Sequence, residues 1–172
     1  MGALVEQDAP GDLIPSEEFR LAMRKVTSPV AVITARAGDM RNGLTATAVC
    51  SATTDPPTLL VCINRGATCE ALIARSGSFA VNFLTEEQAG IARLFSTARL
   101  DPVERFAEGR WTAGPSGAPM LADTVASFDC RVVQMVPCGT HSIFMGQVVG
   151  VTGSDGPMLL YRDGYFRRLS TE

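Results

Sequence analysis

Asn64, Arg65 and Thr68 stand together in the run Asn64-Arg65-Gly66-Ala67-Thr68, directly after an apolar stretch and directly before what reads as a helix start. An amide, a guanidinium, a hydroxyl and the free amides of a helix end suit an anion, above all a phosphate. A second set of residues precedes them. Thr45, Ala46, Thr47, Ala48, Cys50, Ser51, Ala52, Thr53 and Thr54 are all small. A strand that builds a plain core favours β-branched and aromatic residues. A strand of small residues lets another molecule, or another backbone, come close, and its hydroxyls can hydrogen-bond a polar ligand. The same residues also fit a tight strand pair closed by an N-capped helix, and residue types alone leave both readings open. The chain's one histidine, His141, lies at a turn-to-strand junction after Gly139. It could face a ligand or serve as an ordinary structural histidine. Tyr165 and Phe166 follow an Asp-Gly turn, where aromatics usually pack; Arg162, Tyr165 and Arg168 could instead border a pocket.

Other chemistries are excluded by what is absent. No G-x-G occurs, so there is no Rossmann fingerprint, and no glycine loop precedes the only lysine, Lys25. No G-x-S-x-G elbow occurs. One histidine rules out a multi-histidine metal site, and the five cysteines contain no C-x-x-C pair. Most of these cysteines are expected to be buried free thiols in a reducing compartment. A formal net charge of −3 with scattered arginines argues against nucleic acid. No apolar run approaches the ~18 residues that cross a membrane as a helix. The start, M-G-A-L-V-E-Q-D, has no signal-peptide core. These features predict a cytoplasmic chain; if it is an enzyme, a bound organic cofactor is expected to carry the chemistry.

The elements that must hold these residues can be read from punctuation and periodicity. At 172 residues one domain is the default. Residues 1–15, with two prolines and no periodicity, predict a flexible arm, leaving 16–172 as the domain. Ser16 reads as a helix N-cap followed by Glu17 and Glu18, with Phe19, Ala22, Met23 and Val26 on one helical face. Val30–Ala35 is a strand, and Gly38–Gly43 a turn in which Asn42-Gly43 is the hairpin signal. Thr58–Asn64 reads as a strand buried on both faces, and Thr68 as the cap of a short helix. Phe79–Leu84 is a strand. Thr85 with Gln88 forms a capping-box pattern for a helix through Phe95. Asp101-Pro102 opens a single helical turn. Arg110–Met120 is a loop holding Trp111. Two long strands, 126–136 and 142–151, and a terminal hairpin complete about seven strands and three short helices. Strands adjacent in sequence predict a mainly β, antiparallel barrel with peripheral helices.

The run from Gly43 to Arg65, G-L-T-A-T-A-V-C-S-A-T-T-D-P-P-T-L-L-V-C-I-N-R, closely resembles the flavin reductase family of FMN-binding split-barrel proteins. These include the small reductase components of two-component monooxygenases. The runs F-A-V-N-F-L from Phe79, S-F-D-C-R-V from Ser127 and G-T-H-S-I-F-M-G-Q-V-V from Gly139 match the same family, so the resemblance spans about Phe19 to Tyr165. It implies an antiparallel FMN-binding split β-barrel and hydride transfer from NADH or NADPH to FMN or FAD. It implies that Thr45, Ala46, Thr47 and Ala48 line the isoalloxazine edge. Cys50, Ser51, Asn64, Arg65 and Thr68 would hold the ribityl chain and phosphate, and His141 and Tyr165 would lie toward the nicotinamide. No side chain need act as acid or base. The chain departs from many members at Ala67, where they carry serine. The resemblance further implies a homodimer and a partner monooxygenase that receives reduced flavin by diffusion. Two other activities share these motifs: a tightly held flavin that reduces another acceptor, such as a corrin-bound cobalt, and a non-catalytic flavin-binding protein.

Overall fold

A computed structural model of the chain describes residues 13–169. The expected flexible arm, residues 1–15, lies almost wholly outside them. The chain runs α1 (Ser16–Met23), β1 (Ser28–Pro29), β2 (Ala31–Ala37), β3 (Met40–Ala46), β4 (Val49–Thr54), β5 (Pro57–Asn64), α2 (Thr68–Ser76) and β6 (Ser78–Phe83). A 3-10 turn (Glu86–Gln88) leads into α3 (Ala89–Ser96) and α4 (Pro102–Arg105). Then come β7 (Trp111–Ala113), β8 (Pro119–Leu121), β9 (Ala126–Cys138), β10 (His141–Thr152), β11 (Leu160–Arg162) and β12 (Tyr165–Arg167).

Seven strands form one antiparallel sheet in the order β3-β2-β6-β9-β10-β5-β4. Its two edge strands, β3 and β4, are consecutive in sequence and are joined by Thr47 and Ala48 alone. Three residue steps reach at most about 11 Å. The sheet must therefore roll until its edges nearly meet at that corner, which makes it a barrel split between β3 and β4. A small sheet, β1-β11-β12, and the β7-β8 hairpin pack outside it.

β2 shows how one strand serves two layers. Ile33 points into the barrel with Val61, Ile63, Phe79, Val81 and Phe144, all essentially buried, and Leu72 and Ile73 of α2 close that core. Val32, its neighbour, faces outward into a second core with Ile91 and Phe95 of α3 and with Phe106. Trp111 joins this outer core, its ring centroid 4.8 Å from Phe106 and 5.3 Å from Phe95. The segment read as a Trp-bearing loop is thus a packed hairpin. Between the layers sits Asn82, fully buried. Its amide donates to the Val32 carbonyl at 3.0 Å, and its oxygen accepts from the Leu121 N–H at 2.8 Å and the Ser127 hydroxyl at 2.9 Å. A buried amide with its partners in place joins three strands without an orphaned group.

Several expectations hold in detail. Thr85 and Gln88 form the capping box, and Asp101 caps the single turn of α4 through the Val103 N–H at 2.7 Å. Others are corrected. The tight turn is Gly38-Asp39, flanked by the pair Ala37 and Met40, while Asn42-Gly43 lies inside β3. The glycine is there for close approach. A Cβ on Gly43 would stand 2.6 Å from the Ile33 carbonyl and 2.7 Å from the Phe95 ring. β5 is not buried on both faces: Leu59, Val61 and Ile63 are buried, whereas Leu60 and Cys62 are half-buried. Ser16 is not an N-cap; Pro15 holds that position and no side chain caps the helix. The apolar stripe of α1 is uncovered in the single chain, with Phe19 57% and Met23 49% exposed.

The cysteines also differ from expectation. All five are free, but only Cys69 and Cys130 are buried; Cys62 is half-buried, and Cys50 and Cys138 are exposed. Burial pushes the Cys69 and Cys130 thiols up to about 12. The Cys62 thiol is also raised, by burial and then by the nearby Cys138 and Cys50. Only thiolate reacts with an alkylating reagent. Native alkylation followed by mass spectrometry should label Cys50 and Cys138 quickly, Cys62 slowly, and Cys69 and Cys130 only on unfolding. Rapid labelling of Cys69 would show that α2 does not stay docked on the barrel.

Candidate functional site

Three clefts adjoin along β3 and the Thr47–Ala48 corner. The largest, about 590 Å³, is bounded by Thr45, Ala46 and Thr47, by Arg93 and Ser96 of α3, and by Tyr161, Tyr165 and Phe166 of the β11-β12 hairpin. The second, about 400 Å³, shares Thr45–Thr47 and Ser96 and adds Ala48, Cys62, Asn64 and His141. The third, about 420 Å³, shares Leu44, Phe95 and Ser96 and extends to Gly66, Ala67 and Thr68 on one side and to Thr97, Arg99 and Arg105 on the other. Together they form a groove with an aromatic pocket at one end, a floor of small residues in the middle, and a helix N-terminus at the other end.

The small floor follows from the corner. Thr47 and Ala48 are exposed, because the edges on either side of them carry no further strand. The Thr45 hydroxyl donates to the Ala92 carbonyl at 2.7 Å, so this side chain ties β3 to α3 and offers the groove only its oxygen as acceptor. Asn64 is directed inward along its own chain: its side-chain oxygen accepts the Gly66 N–H at 2.8 Å, which turns the backbone into α2. Thr68 is the first helical residue and not the cap. Ala67 occupies the cap position, and with no side-chain acceptor there the helix amides face the third cleft uncapped. Glu70, in the same turn, is engaged by the Ser142 hydroxyl at 2.7 Å.

Arg105 completes this end. Its guanidinium donates to four carbonyls: Phe95 at 2.9 Å, Thr97 at 3.0 Å, and Gly43 and Leu100 at 3.3 Å. The residue is only 8% exposed, and its Nε, also buried, has no partner among the described residues. Burial lowers its pKa, an effect that the nearby Cys69 opposes; a guanidinium stays charged at neutral pH regardless. Arg105 and the uncapped start of α2 line the same cleft, so its charge and the helix end both favour an anion there.

The structure thus gathers Thr45, Ala46, Thr47, Ala48, Asn64, Thr68, His141 and Tyr165 along one groove. His141 and Tyr165 line adjoining clefts and not the same one. His141 is exposed, with Nδ1 2.9 Å from the Thr140 hydroxyl. Cys50 and Ser51, exposed on β4, and exposed Arg65 do not line these three clefts. The wall opposite the small floor escaped sequence reasoning: Arg93, Ser96, Thr97, Arg99 and Arg105 come from α3, the loop after it and α4. In the sequence they read as the ordinary basic and hydroxyl residues of helix C-termini. One signal was available, since Arg93, Ser96 and Thr97 gather polar groups at the end of an otherwise apolar helix.

The split barrel thus places a floor of small residues between an aromatic pocket and a cleft lined by arginines and a helix start. Residues 23–170 match the family model described as a flavin reductase like domain, and the chain belongs to that family. It is 38% identical over 162 residues to an FMN reductase (NADH) RutF of Ancylobacter novellus, covering 93% of this chain and 86% of the relative. It is 40% identical over 167 residues to FMN reductase (NADH) RutF 1 of Methylorubrum extorquens, covering 96% and 83%. Among solved structures it resembles BorF, the flavin reductase component of a bacterial two-component tryptophan halogenase, with a TM-score of 0.83 at 29% identity, covering 92% of this chain and all of that one. It also resembles the NADH:FAD oxidoreductase SgcE6 of Streptomyces globisporus in complex with NAD and FAD fragments, with a TM-score of 0.83 at 28% identity, covering 93% and 98%.

Proposed function

We propose that this chain is an NAD(P)H:flavin oxidoreductase acting on FMN or FAD. The observation that carries this reading is the continuous groove that ends between Arg105 and the uncapped start of α2. The residues fit the group. Thr45–Ala48 leave room for a flat ring system along the corner, and the third cleft offers amides and cationic donors for a phosphate. A flavin held there would supply the redox chemistry, with NADH or NADPH as the hydride source.

The chain's own part is positioning. The floor of Thr45–Ala48 excludes side-chain bulk beneath the ring. The uncapped Thr68 amide and Arg99 anchor the phosphate, with the charge of Arg105 behind them, Arg65 reaching it from solvent and Asn64 shaping the turn. Cys50 and Ser51, on the adjacent edge strand, flank the ribityl chain. The aromatic cleft of Tyr161, Tyr165 and Phe166 takes the nicotinamide, with His141 at the groove's far rim. No side chain is assigned a proton transfer. A second copy covering the exposed stripe of α1 would make the homodimer typical of such reductases. The free thiols suit a reducing compartment such as the cytoplasm. Reduced flavin passes to a partner monooxygenase.

Steady-state oxidation of NADH and NADPH, with and without added FMN or FAD, tests the reading; no flavin-dependent oxidation with either nucleotide would reject it. The phosphate assignment has its own test. Arg65→Ala should weaken FMN binding roughly tenfold, since a charge-assisted contact contributes about 1.5–3 kcal/mol. Riboflavin, which lacks the phosphate, should bind as before. Equal losses for the two flavins would move Arg65 away from the phosphate.

A further inference from the structure

Two arginines at the turn end of the β2-β3 hairpin take no part in the groove. Arg36 and Arg41 are a register pair across the two strands, so both side chains stand on the same face of the sheet. Both are exposed, and neither forms an ion pair among the described residues, even with Asp39 of the turn between them. Like charges directly opposite each other destabilise a strand pair. Each guanidinium is nevertheless held in place. The Arg36 Nε donates to the Gly38 carbonyl at 2.8 Å, and the Arg41 guanidinium carbon lies 4.3 Å from the centroid of the Phe106 ring. These contacts leave the Nη groups of both residues without a hydrogen-bond partner among the described residues.

The two side chains line a cleft of about 130 Å³ together with residues of the β7-β8 hairpin. It shares no lining residue with the three clefts of the groove. Thr112 brings a hydroxyl to its wall, and Trp111 brings an aromatic surface. The indole N–H of Trp111 is engaged elsewhere, donating to the Glu108 carbonyl at 2.7 Å. At about 30 Å³ for each water of the liquid, the space matches about four waters. An ion of phosphate size fits there; a flavin or a dinucleotide does not.

We propose that this cleft binds a small dianionic oxyanion, phosphate or sulfate, held jointly by Arg36 and Arg41. Guanidinium groups present forked donors that match such oxygens. A dianion cancels the charge of the facing pair, and Thr112 donates a third hydrogen bond. The bound ion bridges the β2-β3 hairpin to the β7-β8 hairpin and braces the outer core at Phe106 and Trp111.

The test uses the full, flavin-free chain with its single tryptophan, Trp111, as the reporter. Phosphate is titrated at fixed ionic strength made up with sodium chloride. Trp111 emission should change and saturate, with a midpoint on the order of millimolar, and the melting temperature should rise with phosphate by mass action. Sulfate should act alike, and acetate, a monoanion, severalfold more weakly. In the double variant Arg36→Gln/Arg41→Gln the phosphate midpoint should rise roughly tenfold or more, because charge-assisted contacts are lost. The thermal shift should vanish with it. The double variant Arg36→Lys/Arg41→Lys, which keeps the charge, should recover part of each loss. Arg99→Gln, in the third cleft, should leave the Trp111 response unchanged. If the glutamine pair fails to fold, Arg41→Gln alone, verified by thermal melting, carries the same expectation at smaller size. No saturable response in wild type, a response to chloride as large as that to phosphate, an unchanged midpoint in a folded glutamine variant, or a response lost in Arg99→Gln would each overturn the proposal.

Discussion

Arg105→Ala is expected to remove on the order of 3 kcal/mol or more of stability, because hydrogen bonds to a buried charged group contribute about 1.5–3 kcal/mol and their buried partners are then left unpaired. Arg105 gathers the carbonyls of Phe95, Thr97 and Leu100 at the end of α3 and that of Gly43 on β3. Without it no other side-chain hydrogen bond among the described residues joins the loop after α3 to the strand, and Phe95, fully buried beside Gly43, loses the clamp on its own backbone. The same substitution removes a positive charge that lines the third cleft, so flavin affinity should fall together with melting temperature. Arg105→Lys separates the two effects: an ammonium keeps the charge but cannot fork to several carbonyls, so it should recover little of the stability. Denaturant melts of the flavin-free protein are the deciding measurement. A shift below about 0.5 kcal/mol would match an ordinary surface position and contradict the clamp.

Thr47→Phe should act in the opposite way, on binding and not on folding. Thr47 is exposed, borders two of the three clefts, and its side chain makes no hydrogen bond among the described residues. Filling the floor of a groove that must admit a flat ring carries an overpacking cost of about 1–3 kcal/mol, which is roughly a ten- to hundredfold loss of flavin affinity. Stability of the flavin-free protein should change by no more than about 0.5 kcal/mol. Thr47→Ser should bind normally. A large fall in flavin-free stability with normal binding would mean that the corner is small for packing reasons alone.

Much of the architecture was legible because its signals are local. Gly and Pro punctuation, β-branched runs and two capping patterns located β2, β5, β6, β9 and β10 and the approach to α3 and α4, while β3 and β4 read as one run of small residues with no break at Thr47–Ala48. Failures came where one residue type serves two purposes. Asn42-Gly43 is the strongest short hairpin dipeptide, yet here the glycine admits Phe95, a residue more than fifty positions away. The stripe of Phe19 and Met23 has helical spacing, but spacing cannot say whether the facing surface belongs to the same chain. The site was half visible for a related reason. Its floor is a contiguous run with an unusual composition, so the sequence exposes it. Its opposite wall is assembled by tertiary packing from Arg93, Ser96, Arg99 and Arg105, each unremarkable where it stands.

The two-residue link between β3 and β4 has a consequence for motion. Each of these strands has a neighbour on one side only, so part of the backbone on either side of the corner lacks ladder partners. Such stretches open at low free-energy cost and exchange their amide hydrogens early. A molecule lying across the corner would touch both strands and bias them toward the closed state by mass action. Amide exchange along Leu44–Ala46 and Val49–Ser51 should therefore slow in concert as flavin is added, while the buried strand β6 exchanges at its own unchanged rate. The barrel would then open and close along its split with ligand occupancy as the governor, and release of the product would be a breathing motion of the sheet's two free edges.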